Sequence, residues 1–466
     1  MNWKTIGKSF KNKDMLKRIF FVLLAMVIYR ALSHLPIPLG GTTELKQVLE
    51  SIFNQQQLLG FINLLSGGAL ANFSIVLMGL GPYINASIIM QLLTKAIPKL
   101  EEMSEEGEHG RQKINQYTRY LTLPLAILQS VGFILLIRQT AQSATGLEDF
   151  LAHPSIFQWV LMGSALTGGS MLLMWIGELM TEQGVGNGIS LLIFAGIASQ
   201  LFSTGAGLVQ SVVSSEKGFE VFGWFALPFD PRTVAIALAF ILGGIGLTYF
   251  VVKINEAQRV ITVSYAKRVR GNRAYGGVET ILPIKLIAAG VIPIIFAVAF
   301  LAVPSFVGQL MISSGKEWMV DIGNKLVTWF QTNRSAGLPS NNFNTYGYPA
   351  IYFLLVVMFT YFYTGIVFNA KQIAENLQKQ GGFIAGIRPG PQTESYLKKV
   401  VIRLTLFGSI SLGILAILPL IVERVLGTQQ LTIGGTGVLI VVSVALETLR
   451  QLESRALMIT YDYDND

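Results

Sequence analysis

Covalent and metal chemistry have little to work with along this chain. Its histidines, His34, His109 and His153, fall on loops and span ends far apart in sequence. Cysteine is absent, which removes disulfides, thiolate metal sites and cysteine nucleophiles. The densest carboxylates, Glu101, Glu102, Glu105, Glu106 and Glu108, stand between Lys95 and Arg119. Such a run could hold a metal, yet the nearby lysines and arginines favour a solvated acidic turn. Glu178 and Glu182, spaced i, i+4, are the pair an ion-coupled transporter would use, but they sit in the turn before Gly184. No glycine-rich loop ends in the Lys-Ser/Thr of a P-loop, and no nucleophile–base pair is visible. These residues predict no enzyme, no metal and no cofactor.

Recognition chemistry is better represented. Residues 261–273 read ITVSYAKRVRGNR, a β-like run followed by the basic cluster Lys267, Arg268, Arg270 and Arg273. Residues 378–392 read QKQGGFIAGIRPGPQ, where Arg388 precedes Pro389 in a turn stiffened by Gly and Pro. Each could be a solvated basic loop. An arginine held on a rigid tip, however, suits two-pronged recognition of carboxylate or phosphate, and so the docking of a large partner, protein or RNA.

The elements that must position these groups are membrane helices. Of the 466 residues 52% are hydrophobic and 13% charged, where a soluble domain carries about a quarter charged. Mean hydropathy is +0.53. Ten apolar runs are marked at 19–35, 73–93, 120–137, 156–176, 189–208, 234–252, 286–311, 348–368, 404–422 and 435–449, most close to the roughly 20 residues a span needs. Lys and Arg crowd the start (Lys4 to Arg18), the loop after span 6 (Lys253 to Lys285) and the loop after span 8 (Lys371 to Arg403). Intervening loops are poorer in them. Cytoplasmic loops accumulate these residues, so both termini are predicted in the cytoplasm. The same bias, with anionic lipid, accounts for much of the net charge of +8. The first apolar run leads into Leu35-Pro36-Ile37-Pro38, not a small-residue cleavage site, so a cleaved signal peptide is not expected.

Ten spans divide into five and five, and an odd number per half gives the halves opposite orientation. The expected organisation is a cytoplasmic segment at 1–18, a first half at 19–213, an external hinge at 214–231, a second half at 232–458 with loops at 253–285 and 370–403, and a tail at 459–466. Residues 60–74, GFINLLSGGALANFS, are too short to span and too apolar for an ordinary loop. They fit either a tight interfacial turn or a re-entrant half-helix in a funnel between the halves. Span 2 carries Gly79, Gly81 and Pro82, and span 7 carries Gly290, Pro293 and Pro304. Broken helices at matching places point to a central pathway, although isolated kinks are common in membranes.

At this level of detail the chain resembles the SecY family, the central channel subunit of the bacterial protein translocon. The resemblance rests on collinear motifs: Ser66-Gly67-Gly68-Ala69-Leu70, GPYINASII from Gly81, EHGRQKINQYTRY from Glu108, GVGNGIS from Gly184, AGVIP from Ala289, Gly386-Ile387-Arg388-Pro389-Gly390 and Gly434-Gly435-Thr436. It implies an all-α polytopic membrane protein: ten transmembrane helices in two inverted five-helix halves around an hourglass pore. A short plug helix at about 61–72 would include Leu64, Leu65, Ser66, Gly67, Gly68, Ala69 and Leu70. Leu80, Ile84, Ile189, Ile193, Ile295 and Ile440 would form the constriction, with Leu80 where the family usually has Ile. Such an aliphatic ring offers no hydrogen bonds, so narrow water columns dewet there. Taken singly, each of these residues also reads as an ordinary lipid-facing or core aliphatic. The lateral gate would include Ser87, Gln91, Asn187 and Ala297, with Gln91 and Asn187 biasing it closed through inter-helix hydrogen bonds or serving only as packing glue. Leu64, Leu65 and Leu70 would pack beneath the ring.

The implied function is a passive conduit for unfolded secretory polypeptides in the bacterial cytoplasmic membrane, releasing membrane segments sideways. Implied partners are small subunits resembling SecE and SecG, the SecA motor ATPase, the ribosome, signal-sequence substrates and membrane lipid. The competing class is a secondary transporter of a small solute on inverted repeats. Such a protein needs charged groups near the bilayer midplane, and the sequence has almost none there.

Overall fold

The computed structural model describes residues 13–37, 63, 66–145, 156–213, 219–221, 225–227, 231–265, 268–270, 273–275, 279–313, 316–330, 343–426 and 430–463. In chain order the helices are α1 (Lys13–Leu32), α2 (Gly81–Ala96), α3 (Pro98–Glu105), α4 (Glu108–Thr145), α5 (Ile156–Glu182), α6 (Gly188–Val213), α7 (Pro231–Glu256), α8 (Ile292–Ser313), α9 (Glu317–Phe330), α10 (Phe343–Val367), α11 (Ala370–Lys379), α12 (Pro391–Leu426) and α13 (Gln430–Tyr463). The strands are β1 (Phe219–Val221), β2 (Phe225–Leu227), β3 (Gln258–Tyr265), β4 (Arg268–Arg270), β5 (Arg273–Tyr275), β6 (Glu279–Lys285) and β7 (Gly382–Ile384).

A helix stands at each of the ten apolar runs, but two runs enter helix late. Span 2 becomes helical only at Gly81, where Pro82 occupies the first turn; before it, residues 66–80 are turns and one bridge. Proline at a helix start loses no hydrogen bond, because that N–H has no intrahelical partner. Span 7 likewise begins with turns at 288–291 and becomes helical at Ile292, with Gly290 at φ 62°. Pro304 lies within α8 without ending it. Among the described residues, five helices are long and apolar enough to cross a membrane by length and composition; α2, with 16 residues, is too short alone.

The helices pack in two groups of five. α1, α2, α4, α5 and α6 touch one another, as do α7, α8, α10, α12 and α13. The groups meet along two seams, α6 against α7 and α13, and α8 against α2 and α4. One cluster of buried side chains runs through both groups. Buried threonines such as Thr360 and Thr364 donate to the carbonyls of Val356 and Thr360, which satisfies each hydroxyl inside its own helix.

On the Lys/Arg-rich side a small water-facing module forms. Antiparallel β3 pairs with β6 (Ile261↔Leu282) and with β7 (Val263↔Ile384), giving the order β6-β3-β7. Alternation along β3 turns Ile261 and Val263 inward, onto Ile284, Ile384, Leu397, Val400 and Val401. Each fully buried aliphatic there contributes about 1.5–3 kcal/mol. The β-like run read from sequence is thus the central strand of a sheet seated on the first turns of α12.

Candidate pore constriction and lateral cleft

The six ring candidates converge from four helices. Leu80, Ile84, Ile193, Ile295 and Ile440 are all buried in the central cluster, and Ile189 packs half-buried against it. They come from the start of α2, from α6, α8 and α13, and so from both helix groups. Ile189 leans toward α5, its Cγ1 3.1 Å from where a Gly177 Cβ would stand.

Four of the six, Leu80, Ile84, Ile193 and Ile295, also line a cavity of about 420 Å³. It opens along the α2–α4–α8 seam and is walled mostly by apolar side chains, among them Ile88, Leu125, Val298 and Phe306. Asn85, Gln129 and Ser66 are its polar points. These four ring candidates and the side cleft therefore border one space, while Ile189 and Ile440 stand outside its lining.

The Ser66–Leu70 segment lies beside this cavity, with Ser66 in its wall. Gly67 has φ +64°, and a Cβ there would lie 2.9 Å from Gly196 Cα and 3.0 Å from the Tyr29 hydroxyl. Only a residue without a side chain lets this turn lie on α6 and α1. Arg30 Nη1 donates to Gly67 O. Asn63 gathers the turn: its carbonyl accepts from Gly68 N at 2.8 Å and its Oδ1 from Ala71 N at 3.1 Å. Ser74 Oγ donates to Leu32 O at 2.6 Å, and Ile75 N donates to Leu35 O at 3.1 Å, lashing the segment to the end of α1.

Two expectations change. Ser66 to Phe73 are turns, not the short helix the resemblance implied, because Gly67, Gly68 and Phe73 all take positive φ. Leu64 and Leu65 lie outside the described residues. Leu70 does not pack beneath the ring; it is buried in a second cluster with Ile37, Leu77, Phe133, Ile134, Met162 and Leu166, while Ala69 faces the central one.

The polar gate candidates also behave differently from the expectation of bonds between helices. Gln91 Nε2 donates to Ser87 Oγ at 3.1 Å, one turn back on the same helix, and Gln91 Oε1 is buried without a partner. Asn187 Oδ1 accepts from Ile189 N at 3.1 Å and Ser190 N at 3.2 Å, capping α6. Neither bond crosses a seam. Ala297 is fully buried, Ser87 half-buried, and neither lines the cleft.

The glycine motif around Asn187 makes a clamp that sequence reasoning missed. Gln183 O accepts from Arg18 Nη1 at 3.0 Å and from Arg455 Nη1 at 3.3 Å, so α1 and α13 grip one carbonyl. Gly184, at φ +65°, leaves the space that the Arg455 guanidinium fills. Nothing in the spacing of residues so distant in sequence announces the contact. Nearby, Arg450 Nη2 donates to Asn255 O at 3.0 Å and Asn255 Nδ2 to Ser443 Oγ at 3.0 Å, tying α7 to α13. Partial burial and then the Arg450 charge hold the Lys285 ammonium below its usual pKa, with Glu447 opposing.

Of the docking candidates, Arg388 is exposed on its turn, and its carbonyl accepts from the buried Thr393 hydroxyl at 2.9 Å. Arg270 and Arg273 stand opposite each other in the β4–β5 pairing, whose first pair is Arg268 with Tyr275. Lys267 lies outside the described residues. Glu178, the carboxylate a transporter would need, is paired with Arg119 Nε at 2.7 Å. The expected acidic turn is largely helical: Glu101, Glu102 and Glu105 lie on α3, and Glu101 pairs with Lys95 at 2.8 Å.

Two five-helix groups with buried aliphatic side chains between them and a cleft along one seam are the fold this chain shares with solved channel structures. The fold matches "The structure of a protein conducting channel" with TM-score 0.64 at 20% identity, covering 93% of this chain and 90% of that one. It also matches Sec61 in the canine ribosome-channel complex, with TM-score 0.59 at 19% identity over 93% and 90%. The family model for SecY matches residues 74–449. Protein translocase subunit SecY of Mycobacterium bovis is 40% identical over 463 residues, 97% of this chain and 98% of that protein. The same subunit of Corynebacterium glutamicum is 40% identical over 462 residues, 98% of each. The chain belongs to the SecY family. It is a multi-pass membrane subunit of a protein translocase, and a small-solute transporter is not the reading these relatives support.

Proposed function

We propose that the chain conducts unfolded polypeptides through the ring formed by Leu80, Ile84, Ile189, Ile193, Ile295 and Ile440, and releases apolar segments into lipid through the α2–α4–α8 cleft. The observation that carries this reading is that four of the six ring residues share one mostly apolar cavity with the cleft. A purely aliphatic narrowing holds water poorly yet yields around a passing chain, so it seals without choosing a sequence. Ser66 to Leu70, seated on Gly196 and Tyr29, serves as the plug. The halves, 19–213 and 232–458, hinge through 214–231 while the cleft parts, with Ser87 and Gln91 carried on α2, Ala297 on α8, and Asn187 capping α6 behind them.

The site is the bacterial cytoplasmic membrane with both termini inside, which puts the β6-β3-β7 module and Arg388 in the cytoplasm. There the loops 253–285 and 370–403 dock the SecA motor or the ribosome, with Lys267, Arg268, Arg270, Arg273 and Arg388 as the charged contacts. Small subunits resembling SecE and SecG complete the complex. The test is purification in mild detergent followed by reconstitution: small partners of one to three spans should co-purify, and vesicles with the motor and ATP should take up an unfolded precursor. Intact complexes that take up no precursor under either driving force would refute the reading.

A further inference from the structure

α9 takes no part in the ring or the cleft, yet it is built with care. A Cβ on Gly323 would stand 2.6 Å from Gly308 O, and one on Gly308 would stand 3.0 Å from Gly323 O. The backbones of α9 and α8 therefore touch, and α9 folds back against the last turns of the span. The apolar span of α8 runs Ile292–Ile312, so Gly308 lies about 6 Å inside its end. The middle of α9 is thereby held at the level where hydrocarbon gives way to headgroups, on the Lys/Arg-poor side. On a helical wheel Trp318, Ile322, Lys325 and Trp329 fall in one stripe, while Gly323 faces elsewhere. The stripe is partly exposed: Trp318 is 60% exposed, Ile322 41% and Trp329 46%. Two exposed tryptophans flanking an isoleucine, with between them the Lys325 ammonium paired to Asp321 at 2.8 Å, match the chemistry of the membrane interface, where an indole sits with its apolar body in lipid and its N–H near water.

We propose that α9 lies in the membrane–water interface, with the Trp318–Ile322–Lys325–Trp329 stripe seated on lipid, anchoring the end of α8 beside the cleft. The inference rests on the membrane fold and not on the export reading, so a channel that fails to export would leave it standing. The cysteine-free chain allows single spin labels at Trp318→Cys, Ile322→Cys, Trp329→Cys and, on the opposite side, Asn324→Cys, in the full complex in vesicles. Labels at 318, 322 and 329 are expected to relax severalfold more with oxygen than with a water-soluble nickel chelate, and the label at 324 the reverse. The Ile322→Cys label keeps both tryptophans, so it reads the stripe even if replacing one of them disturbs the helix. Chelate dominating at all four positions would place α9 in water, and exclusion of both reagents from the stripe would mean a protein covers it. Either result overturns the proposal.

Discussion

Phe306 of α8 fits its ring onto Gly132 of α4, so closely that a Cβ at 132 would stand 2.2 Å from Phe306 Cζ. Phe306 and Phe133 both line the cleft, and the Phe306–Gly132 contact joins the two helix groups beside it.

A side chain at 132 should act as a wedge. Gly132→Leu is expected to part α4 from α8 and permit export of reporters with defective signal sequences, by tenfold or more if closure loses about 1.4 kcal/mol. Gly163→Leu, where a Cβ would meet nothing within 4 Å, is the control. Equal export of the defective reporter by both variants would remove Phe306 from the gate.

The ring should fail when it is made wettable. Ile193→Ser and Ile440→Asn add hydrogen-bonding groups in the constriction, so vesicles carrying them should pass ions at rest. Ile193→Leu keeps volume and apolarity and should remain tight. Polar variants that hold an ion gradient as well as the parent would take these residues out of the pore.

The seat of the plug should depend on Gly67. A non-glycine residue at φ +64° costs about 1–2 kcal/mol, and its Cβ would collide with the Gly196 backbone. Gly67→Val is therefore expected to unseat the turn and raise resting ion leak, whereas Gly81→Ala, with nothing within 4 Å, should not. Tightness in both variants would mean that the segment does not seal.

Much of this was legible in the sequence because it is periodic or punctuated. Apolar runs marked ten of the thirteen described helices, and Gly79, Gly81 and Pro82 marked the late start of α2. The β-like run beginning at Ile261 marked β3. What stayed hidden depends on which neighbour a side chain meets. Leu70 reads as a plug residue under the ring, yet it chooses the cluster with Met162 and Leu166. Gln91 and Asn187 read as inter-helix polar groups, yet each finds a partner within a few residues, since a local bond costs less entropy than a distant one. Gly132 and Phe306, 174 positions apart, look like any two membrane residues until the helices meet.

Arg388 should matter for docking alone. It is exposed, and the tip takes its shape from Gly386, Pro389, Gly390 and the Thr393 hydroxyl bond to the Arg388 backbone, none of which needs the guanidinium. Arg388→Glu is expected to abolish motor-driven uptake in vesicles with protein level and insertion near the parent's. Arg388→Lys, which keeps charge but loses the planar fork, should fall between them. Full uptake by the glutamate variant would refute the assignment.

The seam itself can be locked. Ser87 and Ala297, the pair sequence reasoning selects, do not line the cleft, whereas Asn85 of α2 and Ala299 of α8 both do. Each is half-buried, so a cysteine at either position remains reachable and replaces no fully buried side chain. The chain has no cysteine of its own, so Asn85→Cys with Ala299→Cys provides the sole thiol pair in this subunit. A short reducible bridge between them would hold α2 against α8 and bar a signal helix from entering, because such a helix must part the two groups along this seam. Export of a signal-bearing precursor is expected to stop when the bridge forms and to return on reduction, while either single variant exports normally under the same reagent. Full export through the bridged protein would mean that substrates do not open the α2–α8 seam.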